Sequence, residues 1–250
     1  MYQFFIEDEN VSEESVIIEG SDVNHIKNVL RMKSGEKIRV CTRDGRNYFC
    51  SISDITDSFV RADILEKEAE STELPCRIYL FQGLPKSDKM EWIIQKTVEL
   101  GVYEVIPVAM KNCVAKLDDK KAKAKVNRWQ AIAESAAKQS KRSLIPEIKM
   151  PMTYKEALSY AKKLDVKLVP YENERGMAGT KTAVNEIKAG SRIAVFIGPE
   201  GGFSPEEIDM VRDEMQLISL GKRILRTETA AITTLAILGY HLESSEEIQE

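Results

Sequence analysis

"FIGPEGGFSPEE" occupies residues 196–207, directly after the apolar run "RIAV" at 192–195. The run reads as a buried strand. Ser204, Pro205 and Glu207 follow the turn as an N-cap, a first-turn proline and the far half of a capping box, so a helix starts there. Strand, tight turn and helix make one step of an open α/β sheet, whose ligands sit beyond the carboxyl ends of its strands. A phosphate cradle would need free N–H groups and an open helix terminus. Here Pro199 has no N–H, Glu200 adds a negative charge, and the capping residues fill the helix end. The stretch therefore disfavours a dianion and suits a neutral polar edge such as adenine, which Gly198, Gly201 and Gly202 would let approach closely. An ordinary glycine turn has the same spacing.

Outward from this stretch, the alternation holds from residue 75 onward. Strands are expected at "RIYLFQ", "YEVIPVAM", "EIKM", "VKLVPY" and "LISLG". Helices are expected over 88–100, about 121–140, 153–164, 204–215 and 227–242. Such alternation implies right-handed crossovers and a largely parallel sheet. Asp88 and Glu91 have capping-box spacing. Residues 1–72 instead read as short strands around one helix, "SDVNHIKNVLRMKSGE", with Asp44-Gly45 as a type I′ hairpin signal. The expected organisation is a β-barrel-like domain over 1–72, a polar linker "EAESTELP", and an α/β domain over 75–250.

The chain has 250 residues, 43% of them hydrophobic, and a net charge of −4. Residues 111–142 hold ten Lys/Arg against three Asp/Glu, a local +7 that leaves −11 elsewhere. One concentrated basic stretch in an acidic chain fits a local polyanion footprint, and equally a solvated helix face. Cys41, Cys50, Cys76 and Cys113 form no CxxC pair, and His25 and His241 are the only histidines, so no metal site is expected. With neither a signal peptide nor an apolar span of about 20 residues, a cytoplasmic protein is expected.

The second informative cluster is "LGKRILRTETAA", residues 220–231. Lys222, Arg223 and Arg226 cluster ahead of a final helix that Thr227 can cap; pairing with Glu200 or Glu228 is their alternative use. That helix is apolar almost all round, which suits a core or an interface.

These two clusters, with "LPKSDKMEWIIQKTVELGV" at 84–102 and "HIKNVLRMKSGE" at 25–36, resemble the bacterial 16S ribosomal RNA uracil-N3 methyltransferase family of the SPOUT superfamily. The resemblance runs in order from residue 2 to about 242. It implies a PUA-like N-terminal β-barrel, a C-terminal α/β domain with a deep trefoil knot, a homodimer, and S-adenosylmethionine as cofactor. Carried over by position, Gly198, Pro199, Glu200, Gly201, Leu220, Ile224 and Leu225 would hold the cofactor, with Val169, Pro170 and the next two residues as a third wall. The implied partner is 16S ribosomal RNA or the assembled small subunit. Lys27, Arg31 and Lys33, opened by His25, and Lys86, Lys89, Gln139, Ser140, Arg142 and Arg223 match RNA-facing positions. Lys141 departs from the pattern, since many relatives carry glycine after the serine.

Methylation at uridine N3 needs the base unpaired and turned into the site, and the N3 proton removed. The resulting anion spreads onto two carbonyl oxygens. Arg226, assisted by Arg223 or Lys222, is expected to stabilise it. Glu200 and Glu228 are the candidate general bases, and either would need its pKa raised by burial. Two other readings are a non-catalytic RNA-binding assembly factor and a SPOUT enzyme of different specificity, such as ribose 2′-O methylation. Intact "GPEGG" and "RILRTETAA" argue against the first; the N-terminal domain and "RTETAA" argue against the second.

Overall fold

The computed structural model describes residues 1–68, 71–114 and 118–246. Residues 69–70 of the expected linker and Lys116 of the basic stretch lie outside the described residues. The chain divides into two compact units, Met1–Glu73 with Ala137–Ile145, and Leu74–Ala136 with Pro146–Glu250. Residues 137–145, assigned to the second domain on linear reading, thus group with the first unit.

In the first unit, β1 (Tyr2–Ile6), β2 (Ser15–Glu19), β3 (Lys37–Thr42), β4 (Asn47–Ile55) and β5 (Phe59–Glu68) form one sheet in the order β1-β3-β4-β5-β2. β1 joins β3 in parallel and the remaining pairs are antiparallel. Alternate residues face inward, so Val16, Ile18, Ile38, Val40, Val60 and Ala62 bury one face over Phe4 and Ile26. The expected helix is shorter than its sequence pattern. α1 (Ser21–Asn24) runs into a single π turn, His25–Val29, and the chain leaves it through Arg31 at φ 54. A left-handed residue satisfies terminal carbonyls, and Met32 N–H donates to Ile26 C=O at 3.0 Å. The β3–β4 hairpin forms, but its turn is not type I′. Gly45 N–H closes onto Thr42 C=O at 3.1 Å and only Gly45 takes positive φ, while the Asp44 carboxylate accepts from the Thr42 hydroxyl.

The second unit contains β6 (Arg77–Gly83), α2 (Lys89–Glu99), β7 (Val102–Ala109), α3 (Asp119–Ser140), β8 (Glu147–Ile148), β9 (Met152–Thr153), α4 (Tyr154–Ala161), β10 (Val166–Pro170), α5 (Ala178–Asn185), β11 (Arg192–Ile197), α6 (Pro205–Asp209), β12 (Gln216–Ile218) and α7 (Thr227–Glu246). The sheet order is β12-β10-β11-β6-β7-β8, with β9 on β7, and every pairing is parallel. From β6 the chain runs outward through β7 and β8, then returns to build β10, β11 and β12 on the other side. The β6–β11 boundary is therefore the switch point where open α/β sheets bind ligands. Phe81 and Phe196, fully buried, stack across that boundary with ring centroids 4.3 Å apart.

Local signals succeed and fail for identifiable reasons. Capping boxes close at Thr153/Glu156 and at Ser204/Glu207. The one expected at Asp88 does not close: its backbone (φ −92, ψ 12) is not extended, and Glu91 turns to Arg128 at 2.8 Å. α6 stops at Asp209, and α5 had no counterpart in the sequence reading. α7 buries Ala231, Leu235, Leu238 and Leu242 but leaves Thr229, Ala236 and Tyr240 exposed, Tyr240 at 78%.

Candidate active site

The register places the relevant strand ends together. Pro170 of β10 lies opposite Ile218 of β12, and Ile197 of β11 opposite Gln82 of β6. The loops after β10 and β12 enclose a cavity of about 260 Å³ lined by residues 170–173, Arg175, 220–225 and, from α7, Ala230. Its walls combine apolar side chains (Pro170, Leu220, Ile224, Leu225) with a polar rim of Tyr171, Asn173, Arg175, Lys222 and Arg223. Ile224 stands 87% exposed there, apolar surface that a flat aromatic ligand would cover.

Each loop is held by contacts the chain supplies. Thr180 of α5 donates its hydroxyl to Ser219 C=O at 2.7 Å and accepts Ser219 N–H at 3.0 Å. Gly221, at φ 110, then turns the loop back so that its N–H reaches Ser219 Oγ at 3.2 Å. Around "GPEGG" the glycines make room for protein atoms. A Cβ on Gly201 would lie 2.9 Å from Asn112 Cβ, and one on Gly202 2.8 Å from Glu172 Oε1. Asn112 Nδ2 donates to the Gly201 and Gly202 carbonyls at 3.0 and 3.2 Å. A Cβ on Gly83, at the end of β6, would meet Pro199 N at 2.7 Å, so this strand end must be bare for the loop to pack against it.

The electrostatics separate the two candidate bases. Glu200 accepts Lys86 N–H at 3.1 Å and pairs with Lys89 Nζ at 3.0 Å. Burial pushes the Glu200 carboxyl up, but Lys89, its own backbone N–H and that of Lys86 outweigh it and hold the group below its ordinary range. That is opposite to the raised value expected of a base. Glu228 Oε2 lies 3.4 Å from the same ammonium, an ion pair without hydrogen-bond geometry, and is otherwise a buried oxygen with no donor. Lys89 is raised, chiefly by its hydrogen bond to Glu200. At the neighbouring α6 terminus, buried Glu207 caps Ser204 and accepts Lys111 N–H at 2.7 Å, so this helix end is filled.

Of the expected cofactor residues, Pro170, Leu220, Ile224 and Leu225 meet at the cavity. Val169 does not: it is fully buried within the core. Gly198, Pro199, Glu200 and Gly201 form the adjoining turn, Pro199 buried and the Gly198 carbonyl taken by the Thr227 hydroxyl at 2.6 Å. Arg223, on the cavity rim, and Arg226, next after the lining residues 220–225, are both exposed. Of the expected RNA-facing residues, Arg31, Lys33 and Lys86 are exposed. Lys27 is exposed but paired with Asp57, and Lys89 is held by two carboxylates. Arg142 is 3% exposed and clasped by Glu73, buried in the first unit rather than presented to a ligand. Asn173, Arg175, Gly221 and Gln82 escaped the sequence reading. The polar run "YENERG" after a strand was the signal for the first two; the others had none.

With this geometry established, comparison with known proteins assigns the class. An RNA methyltransferase domain profile matches residues 72–239, and an RNA methyltransferase PUA domain profile matches residues 18–65. The chain belongs to this RNA methyltransferase family. It is 38% identical over 230 residues to the ribosomal RNA small subunit methyltransferase E of Bacillus subtilis, covering 90% of each chain. The crystal structure of a ribosomal RNA small subunit methyltransferase E from Neisseria gonorrhoeae bound to S-adenosyl methionine superposes with a TM-score of 0.83 at 31% identity, covering 96% of this chain and 97% of that one. A Legionella pneumophila methyltransferase with bound S-adenosylmethionine gives 0.82 at 30% identity, covering 96% and 97%.

Proposed function

We propose that this chain methylates N3 of a uridine in 16S ribosomal RNA, free or in the small subunit, using S-adenosylmethionine in the cytoplasm. The observation that carries the reading is the cavity at the carboxyl ends of β10 and β12, beside "GPEGG", in a chain of the RNA methyltransferase family. Its residues fit the cofactor: apolar Leu220, Ile224 and Leu225 suit the adenine, cations on the rim suit the methionine carboxylate, and Glu172 suits the sulfonium side. The bound cofactor supplies an electrophilic methyl group.

The protein's own groups prepare the acceptor. Arg226, with Arg223 or Lys222, stabilises the negative charge on the uracil carbonyl oxygens as N3 loses its proton. Glu228 suits the base better than Glu200, because Glu200 accepts from Lys86 N–H and pairs with Lys89 at 3.0 Å, whereas Glu228 has only the longer 3.4 Å ion pair to Lys89. A trefoil knot in the second unit fits the strand order, in which the chain leaving β11 must pass β10 to reach β12. The first unit would serve as a PUA-like barrel. A homodimer through the exposed Tyr240 face of α7 fits the stretch between Glu228 and Glu243, which contains no Asp, Glu, Lys or Arg.

The test is mass spectrometry of nucleosides from small-subunit RNA incubated with purified protein and S-adenosylmethionine. Appearance of 3-methyluridine is expected. Cofactor and RNA binding without a methylated nucleoside would overturn catalysis in favour of an assembly role.

A further inference from the structure

Gln82 is fully buried on β6, and its register partner, Ile197, is the last residue of β11. Its Nε2 donates to Gly83 C=O at 3.0 Å and to Thr227 Oγ1 at 2.9 Å. Thr227, also buried, opens α7, and its Oγ1 lies 2.6 Å from Gly198 C=O. A threonine hydroxyl has one proton. Because the amide donates into Oγ1, that proton is free for Gly198 C=O, the acceptor 2.6 Å away. The chain of donation is therefore directional, from Gln82 through Thr227 to the turn. Gln82 Oε1 is buried with no hydrogen-bond partner among the described residues. The amide orientation follows from Gly83 C=O, which can only accept, so the NH2 and not Oε1 must face it.

We propose that Gln82 and Thr227 are positioning residues that lock the "GPEGG" turn to the start of α7, and so hold the turn and the residue 220–226 loop in the spacing that S-adenosylmethionine requires. The proposal rests on the assignment of the cavity to that cofactor. Neither side chain lines the cavity. Their effect is transmitted through the Gly198 carbonyl and the α7 terminus, which also carries Glu228.

The experiment measures calorimetric binding of S-adenosylhomocysteine, cofactor KM and kcat, all well below each variant's thermal midpoint. Thr227→Val keeps the side-chain shape and removes the relay. It is expected to weaken cofactor binding and raise cofactor KM about tenfold, the effect of losing one well-placed hydrogen bond, with kcat at saturating cofactor within about twofold. Thr227→Ser restores the hydroxyl and is expected to recover affinity. Gln82→Met removes the donor that orients the hydroxyl and should weaken binding less than Thr227→Val. The double variant should be no worse than Thr227→Val alone, since both act through one chain. Cofactor KM unchanged in both single variants, or Thr227→Ser as impaired as Thr227→Val, overturns the relay while wild-type binding keeps the cofactor assignment intact. Failure of the wild-type protein to bind S-adenosylhomocysteine overturns both.

Discussion

Lys89 Nζ lies 3.0 Å from Glu200 Oε1, joining the first residue of α2 to the turn after β11. The Glu200 carboxyl is held below its ordinary 4.5, with burial opposing and Lys89 leading the groups that lower it. A depressed carboxyl contributes stability that is present above its unfolded pKa and disappears as pH falls through the folded value. Lys89 is raised above 10.5, so its contribution is present below that value and disappears as pH rises through the folded one. The full contribution of the pair is therefore present between pH 4.5 and 10.5, and it declines as pH falls below the first value or rises above the second. Both side chains are partly exposed, so Lys89→Met should cost no more than about 1 kcal/mol at neutral pH. Urea titrations of wild type and variant should differ at neutral pH and converge in acid; an equal gap at both pH values would show that packing, not charge, accounts for the loss.

Arg142 stands in a sequence context that resembles an RNA-facing segment, yet the structure surrounds it with acceptors. Its guanidinium meets Glu73, whose Oε1 also accepts Ser143 N–H at 2.8 Å, and its own carbonyl accepts from Gln3 Nε2 at 2.6 Å. Removing one partner of a buried pair costs about 3–5 kcal/mol because the other charge stays buried. Arg142→Ala should lower the denaturation midpoint strongly while leaving the salt dependence of RNA binding by the remaining folded protein unchanged. A reduced salt slope would return Arg142 to the RNA contact surface.

The contrast shows which information was legible in the sequence. Period-2 runs such as "SVIIE" and the strand–turn–helix of "FIGPEGGFSPEE" report local structure, and they gave the sheet and the position of the site. Identical residue types do not report which partner they will find. Glu91 had the spacing of a capping residue but pairs with Arg128, and Glu200 had the charge of a base but is committed to Lys89. The glycines of "GPEGG" announced close approach, but sequence could not say that Asn112 and Glu172, about 90 and 30 residues upstream, are what approaches.

Arg226 is exposed and follows directly on the cavity-lining residues 220–225. If it acts mainly in the transition state, Arg226→Ala should lower kcat by about 10²–10³-fold, with S-adenosylhomocysteine affinity nearly unchanged. Single-turnover methylation and calorimetry on the same preparation separate the two quantities. Full methylation by the variant would exclude this role.

On α3, Lys120 and Lys123 are exposed, whereas Lys121 pairs with Asp118 and Arg128 with Glu91. If Lys120 and Lys123 each neutralise one phosphate of single-stranded RNA, replacing both with Ala should reduce the slope of log K against log salt by about 1.4, at about 0.7 per contact. Filter binding across a salt series reads this slope. An unchanged slope would leave these lysines as a solvated helix face.

Lys141 occupies a glycine-like backbone position, at φ 63. Its carbonyl accepts from Arg39 Nη1 at 2.7 Å and from Thr72 Oγ1 at 2.8 Å, so the peptide is pinned and the residue cannot relax to negative φ without losing both bonds. A non-glycine residue in this region carries about 1–2 kcal/mol of steric cost, while glycine would give back about 0.5–1 kcal/mol through its freer unfolded chain. Lys141→Gly should therefore stabilise the protein by about 0.5–1 kcal/mol, even though it loses the bond from Lys141 Nζ to Met1 C=O. Lys141→Val, β-branched in the same conformation, should destabilise it. Thermal midpoints of the two variants in opposite directions from wild type would establish the strain; a lower midpoint for both would show that the contact with Met1 outweighs it.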